Sequence, residues 1–259
     1  MHQIEIPERF NIATALLDRN TERGRGDKVA IYFEEQRLTY KDIQNMSNKF
    51  GNALKGLGIG MENRIAVLLP DCPQWVASFF GAIKIGAVPV LLNTMMRPKD
   101  YEYLLNDSRA RAIVVSDDLV GNIEEIGDAL NYLGYTIVVG GAKEGQLSYD
   151  KLLEEASAEL EVAPTTKDDS AFWCYTSGST GQPKGTVHLQ HDLLIPEPVP
   201  KSVFGVTEDD TAYSVGRLFF AYAIEVLGSN FYVGASQIRS DTASRQIVIL
   251  QMITKYRPT

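Results

Sequence analysis

Residues 172–188 read FWCYTSGSTGQPKGTVH. Phe172, Trp173, Cys174 and Tyr175 form a short apolar run that predicts the end of a buried strand. The run empties into Thr176, Ser177, Gly178, Ser179, Thr180 and Gly181, a stretch made only of glycines and hydroxyls, and then into Gln182, Pro183, Lys184 and Gly185. Glycine tolerates positive φ, so such a loop can turn successive N–H groups inward. Consecutive inward N–H groups form a concave anion site. The hydroxyls add donors, and Lys184 adds a compact positive charge. The residues therefore predict a phosphate-holding loop at the carboxyl end of a strand. A plain Gly/Ser linker is the bland alternative, and it leaves the preceding strand and the Pro-Lys-Gly ending without a reason.

The loop is not a Walker loop, because Pro183 stands five residues after Gly178 where G-x-x-x-x-G-K-[ST] requires glycine. It also lacks G-x-G-x-x-G. Instead YTSGSTGQPKG resembles, without a mismatch, the signature loop of the adenylate-forming superfamily. That family includes acyl-CoA and aryl-CoA synthetases, luciferases and peptide-synthetase adenylation domains, and in it the loop handles the β- and γ-phosphates of ATP. The resemblance implies that Thr176, Ser177, Gly178, Ser179, Thr180, Gly181 and Lys184 bind ATP phosphates. It makes Thr180 and Lys184 the candidate catalytic residues, with the Thr180 hydroxyl near Mg²⁺.

Outward from the loop, short apolar runs alternate with helical patterns. Residues 29–33 read as a strand that pairs with residues 37–38 across 34–36. Thr39 reads as an N-cap with Asp42 three residues on. Ile43, Met46, Phe50, Ala53, Leu54 and Leu57 follow at helical spacing, and the helix stops at Gly56 or Gly58. The glycines of residues 56–60 follow a helix, not a strand, so they read as a C-cap and turn. Further strands are predicted at 64–69, 88–92, 112–115 and 136–139. Helices are predicted from Pro73 to about Gly86, from Pro98 through Leu105, over roughly 119–133, and from Ser148 to about Leu160. This order predicts an α/β fold of parallel βαβ sheets flanked by helices, part of the large N-terminal domain in the family it resembles. Ligands in such sheets lie beyond the carboxyl ends of strands. Residues 161–169, with Pro164, read as a connector. The expected division is a first α/β subdomain at 1–163 and the start of a second at 164–259, carrying the loop.

A second constellation is Gly216, Arg217, Leu218, Phe219, Phe220, Ala221 and Tyr222. It resembles the Lys-Leu-Phe-Phe-Ala-Tyr-Gly run that lines the aryl-acid pocket in the benzoate-CoA and hydroxybenzoate-CoA ligase branch. That implies Phe220, Ala221 and Tyr222 as substrate-pocket residues. An aromatic wall beside a small alanine makes a flat slot. On the residues alone, core at a strand end remains open. The chain departs from the branch in having Ala223 where the branch has glycine. It also has Pro196, Pro198 and Pro200 where the branch runs a helix. His188 and His191 form H-x-x-H, which reads as structural or hydrogen-bonding, since no further Cys, His or Asp cluster completes a metal site.

The chain has 259 residues, 44% hydrophobic and 22% charged, with net charge −8. It can bury a core, and the negative balance argues against a nucleic-acid partner. No apolar run reaches about 18 residues; 65–92, the richest region, is broken by Asp71, Gln74 and Lys84. Residues 1–10 do not read as a signal peptide, and Cys72 and Cys174 read as reduced thiols, so the expected location is cytoplasmic. The resemblance implies ATP, Mg²⁺ and coenzyme A as cofactors and an aromatic acid of the benzoate type as substrate, activated to acyl-adenylate and then acyl-CoA. Alternatives are an adenylation domain loading a carrier protein and a non-catalytic fragment. The family's adenine-stacking Tyr-Gly-x-Thr-Glu motif, ribose-binding Asp and C-terminal lysine have no counterpart before Thr259, so the chain reads as the N-terminal part of such an enzyme, inactive alone.

Overall fold

The computed structural model describes residues 5–177, 181–194, 202–240 and 246–259. Its larger sheet has seven strands: β3 (Arg64–Leu68), β4 (Val88–Leu91), β5 (Ala112–Ser116), β6 (Tyr135–Val139), β7 (Leu147–Ser148), β8 (Ser170–Thr176) and β9 (Lys184–Leu189). Their order is β7-β6-β5-β3-β4-β8-β9. Every pairing is parallel except β8 with β9, which forms an antiparallel edge hairpin.

The connecting helices start and stop where local chemistry dictates. Helix α2 (Tyr40–Gly56) opens on a complete capping box, Thr39 and Asp42 each satisfying the other's backbone. It is preceded by a short α1 (Arg19–Glu22). Helix α3 (Pro73–Lys84) begins with proline at its first position, where the missing N–H costs nothing. Helix α4 (Pro98–Ser108) starts the same way. Helices α2 and α3 cross at Gly51 and Gly81: a Cβ on Gly81 would meet the Ser47 carbonyl oxygen at 2.5 Å, and one on Gly51 would meet the Gly81 carbonyl oxygen at 2.9 Å. Only glycine admits that approach.

Two expected helices are shorter than their patterns. In residues 119–133 the helix α5 covers only Val120–Glu124, followed by a 3₁₀ turn at Gly127–Ala129. Gly121 and Gly127 lower the helical preference there. The helix α6 (Tyr149–Glu155) is capped by Ser148 but ends well before Leu160. Asn48 and Asn52 of α2 donate to the carbonyls of Ser157, Ala158 and Glu159, and this holds the chain in an extended path.

Alternation along the strands divides the core in two. Ile65, Val67, Leu91, Val114, Ile137, Phe172 and Cys174 face α2 and α3. Ala66, Leu68, Val90, Ile113, Val115 and Val138 face the other way, with Tyr101, Leu104 and Leu105 of α4. Helices thus cover both faces of the sheet, as a parallel sheet requires.

A second, four-stranded sheet has the order β10-β11-β1-β2, from β10 (Thr211–Tyr213), β11 (Ser236–Arg239), β1 (Val29–Phe33) and β2 (Gln36–Thr39). Both sheets draw strands from each side of the 161–169 connector, so residue 163 marks a crossing in the chain and not a border between sheets. The helix Ala221–Val233 packs Ala223, Ile224, Leu227 and Phe231 into the shared core.

Two charges break the apolar stretch of residues 65–92, and both are buried. Lys84 is wholly inaccessible; its Nζ lies 2.5 Å from Asp18 Oδ1 and 2.6 Å from Asn48 Oδ1. Gln44 adds a bond to the same Asp18 oxygen at 2.8 Å. Asp71 is described with the site.

Candidate functional site

Strand β8 carries its apolar residues into the core and delivers Thr176 and Ser177 to the surface. Gly178, Ser179 and Thr180 lie outside the described residues. The chain resumes at Gly181, with φ +134°, and reaches Lys184 through Gln182 and Pro183. Lys184 is not in the loop itself; it is the first residue of β9, exposed, and directly opposite Thr176. Directly opposed residues of an antiparallel pair project to one face. The hairpin mouth therefore sets Thr176 and Lys184 side by side on one face. Gly185 has its own reason for being glycine: a Cβ there would press on Trp173 Cε3 at 3.2 Å and Tyr175 Cζ at 3.5 Å.

Phe220, Ala221 and Tyr222 form neither a strand end nor core. Phe220 is the N-cap of the Ala221–Val233 helix, and all three are exposed, while Phe219 is buried with its ring centroid 4.6 Å from that of Phe220. Ala223, at the branch's glycine position, is buried inside the first turn. Pro196, Pro198 and Pro200 lie outside the described residues.

The turn before Phe220 is fixed by a buried ion pair that the sequence reading missed. Asp71 follows β3 and is 1% exposed. Its Oδ1 accepts the Leu218 N–H at 3.0 Å, and its Oδ2 faces Arg239 Nη1 at 4.0 Å. Arg239, also 1% exposed, donates from Nε and Nη2 to Gln237 Oε1 at 3.0 and 2.6 Å. Burial pushes the Asp71 carboxyl up and the Arg239 guanidinium down to about 10, the attraction between them opposing both shifts. The signal was available: an aspartate inside an apolar stretch needs a buried partner.

Asp71 thus docks the 216–220 turn at the carboxyl edge of β3, and the hairpin leaves the carboxyl edge of β8. One strand, β4, lies between them. At the usual strand spacing those two edges are about 10 Å apart. His188 stacks on Phe172 with centroids 4.5 Å apart and sits 3.4 Å from Asp192, and His191 Nδ1 is 2.8 Å from the Lys167 carbonyl oxygen. Both imidazoles are held by protein groups. Cys72 and Cys174 are free thiols, buried, each pushed up to about 12 by burial. No helix among the described residues is long and apolar enough to cross a membrane.

A glycine- and hydroxyl-rich hairpin leaving the carboxyl end of a parallel strand, beside a second loop at the same sheet edge, is the place where open α/β sheets hold their ligands. The chain belongs to the AMP-binding enzyme family, whose model matches residues 17–259. It is 37% identical over 98% of its length to a benzoate–CoA ligase of Thauera aromatica, and 38% identical over 83% to a 4-hydroxybenzoate–CoA/benzoate–CoA ligase of Rhodopseudomonas palustris. It spans 49% and 40% of those two proteins. Among solved structures it superposes with a TM-score of 0.94 and 34% identity on an anthranilate CoA ligase in complex with anthranoyl-AMP, covering 98% of this chain and 49% of the other.

Proposed function

We propose that this chain carries the phosphate-binding and acid-binding parts of an enzyme that activates an aromatic monocarboxylate with MgATP and passes the acyl group to coenzyme A. In the first step a carboxylate oxygen attacks the α-phosphorus and the bond to pyrophosphate breaks. In the second the coenzyme A thiolate attacks the acyl carbon and AMP leaves. The observation that carries the reading is the Thr176–Lys184 pairing at the mouth of a TSGSTGQPKG hairpin.

Negative charge accumulates on the departing pyrophosphate, so groups at that mouth act most strongly as the bond breaks. Lys184 supplies the positive charge, and Thr176, Ser177 and Ser179 supply hydroxyls. Among the described residues no cluster of three His, Cys, Asp or Glu could hold a metal ion. Mg²⁺ arrives with ATP as part of the MgATP substrate, with Thr180 as the candidate hydroxyl beside it. Phe220, Ala221 and Tyr222 offer an exposed aromatic wall with a small step, suited to a flat ring. The relatives named for benzoate and hydroxybenzoate ligation support that substrate class.

Calorimetric titration of the chain with magnesium pyrophosphate and with MgATP tests the site. Lys184→Ala should weaken pyrophosphate about 10-fold and MgATP less, because in free pyrophosphate the oxygen that bridged to the α-phosphorus has become a charged terminal oxygen. Unchanged affinity for both would refute the assignment.

A further inference from the structure

Helix α4 lies under the phosphate hairpin and touches both of its arms. Tyr103 donates its hydroxyl to the Pro183 carbonyl at 3.1 Å, immediately before Lys184. One helical turn later, Asp107 accepts the Tyr175 hydroxyl at 2.6 Å. Residues four apart share a helix face, so one face of α4 grips the outgoing arm at Tyr175 and the returning arm at Pro183. The Tyr175 ring can lie there because its cross-strand neighbour is Gly185.

We propose that Tyr103 and the Asp107–Tyr175 pair are positioning residues that hold the hairpin mouth in its phosphate-binding geometry. The inference rests on reading the hairpin as a phosphate loop. Fold stability alone does not call for an aspartate at position 107. Asp107 is exposed. It also stands in the last turn of α4, where a negative charge opposes the helix dipole. Alanine there would favour the helix on both propensity and charge. A carboxylate in that place is accounted for by the phenol it receives. Tyr175 keeps its proton as a donor: burial and the neighbouring Asp107 charge both push its pKa upward. A loop fixed before the ligand arrives loses less ordering entropy on binding and aims its charges more steadily.

The test is hydrogen exchange by mass spectrometry on the chain and on Tyr103→Phe and Asp107→Ala, paired with magnesium pyrophosphate titration. Removing one such hydrogen bond should speed exchange at Gln182, Lys184 and Gly185 by about 3- to 10-fold. Exchange in β5 should stay unchanged, and pyrophosphate affinity should fall by a similar factor in both variants. Asp107→Ala should at the same time leave the urea midpoint equal or higher, which a purely structural role does not produce. Equal acceleration in β5, or hairpin exchange and affinity like those of the parent chain, would overturn the clamp while leaving the phosphate reading intact. If the parent chain binds no pyrophosphate, the phosphate reading fails and the proposal with it.

Discussion

Asp71→Ala is the sharpest probe of how the 216–220 turn is held. The carboxylate and guanidinium face each other at 4.0 Å, both nearly inaccessible. At an effective dielectric of about 20 their attraction is about 4 kcal/mol. The Leu218 N–H bond to the same carboxylate adds about 1.5–3 kcal/mol. Against this stands the cost of burying two charges, which is several kcal/mol for each ion. The upward shift of Asp71 and the downward shift of Arg239 show that burial outweighs attraction for each partner alone. The pair is therefore near break-even as a unit and costly to split. Asp71→Ala should cost about 3–5 kcal/mol, because a buried guanidinium loses its counter-ion. Asp71→Ala combined with Arg239→Met should recover to within about 2 kcal/mol of the parent. Urea unfolding of the parent, both single variants and the double variant at pH 7 gives the cycle. A single-variant loss below about 1 kcal/mol, or a double variant whose loss equals the sum of the singles, would refute the reasoning.

Other expectations follow from the same geometry. Asp71 has a raised native pKa, so above its unfolded value of about 3.9 the native state binds the proton more tightly. Its contribution to stability is therefore present below that value and is lost as pH rises through the raised native pKa. Asp71→Asn should remove this component from the acid limb of a stability-against-pH curve, and an unaltered limb would contradict it. The thiols of Cys72 and Cys174, both at about 12, should resist alkylation by iodoacetamide at pH 8 until urea unfolds the chain; rapid labelling of either in the native state would count against their burial. In protein competent for both half-reactions, Lys184→Ala should slow adenylation by about 10²-fold. It should leave thioester formation from supplied acyl-adenylate nearly unchanged, and rapid-quench kinetics showing equal losses in both would reassign the lysine to holding the fold.

Much of the local structure was legible because it is encoded locally. Thr39 with Asp42, Pro73, Pro98 and Ser148 each announce a helix start through capping chemistry, and each helix starts there. Ends decided by distant groups were not legible, as at α6, where asparagines of α2 draw the chain away. The glycine- and hydroxyl-rich loop could be read as a string of residue types, yet the seating of Lys184 on β9 depends on an antiparallel pairing that periodicity does not reveal. Phe220 and Tyr222 read as apolar and were open to a core assignment; the helix they begin turns both outward. Asp71 and Lys84 were visible only as interruptions of an apolar stretch. Their partners Arg239 and Asp18 come from other elements, and no local pattern links them.

The parallel pairing of β1 with β11 joins Ile31 to Gln237, 206 residues further along (237 − 31). At roughly 5–20 residues per second of synthesis, Ile31 waits roughly 10–40 s for that partner to emerge. During the wait the β1–β2 hairpin is a two-stranded ribbon, marginal by itself, and the β1 edge that β11 later covers is unpaired. The seven-stranded sheet carries no such debt, since its last strand, β9, is complete at Leu189. The order of birth on the ribosome is thus written into the topology: the large sheet closes first. The nascent chain holds the β1 edge open until β11 arrives.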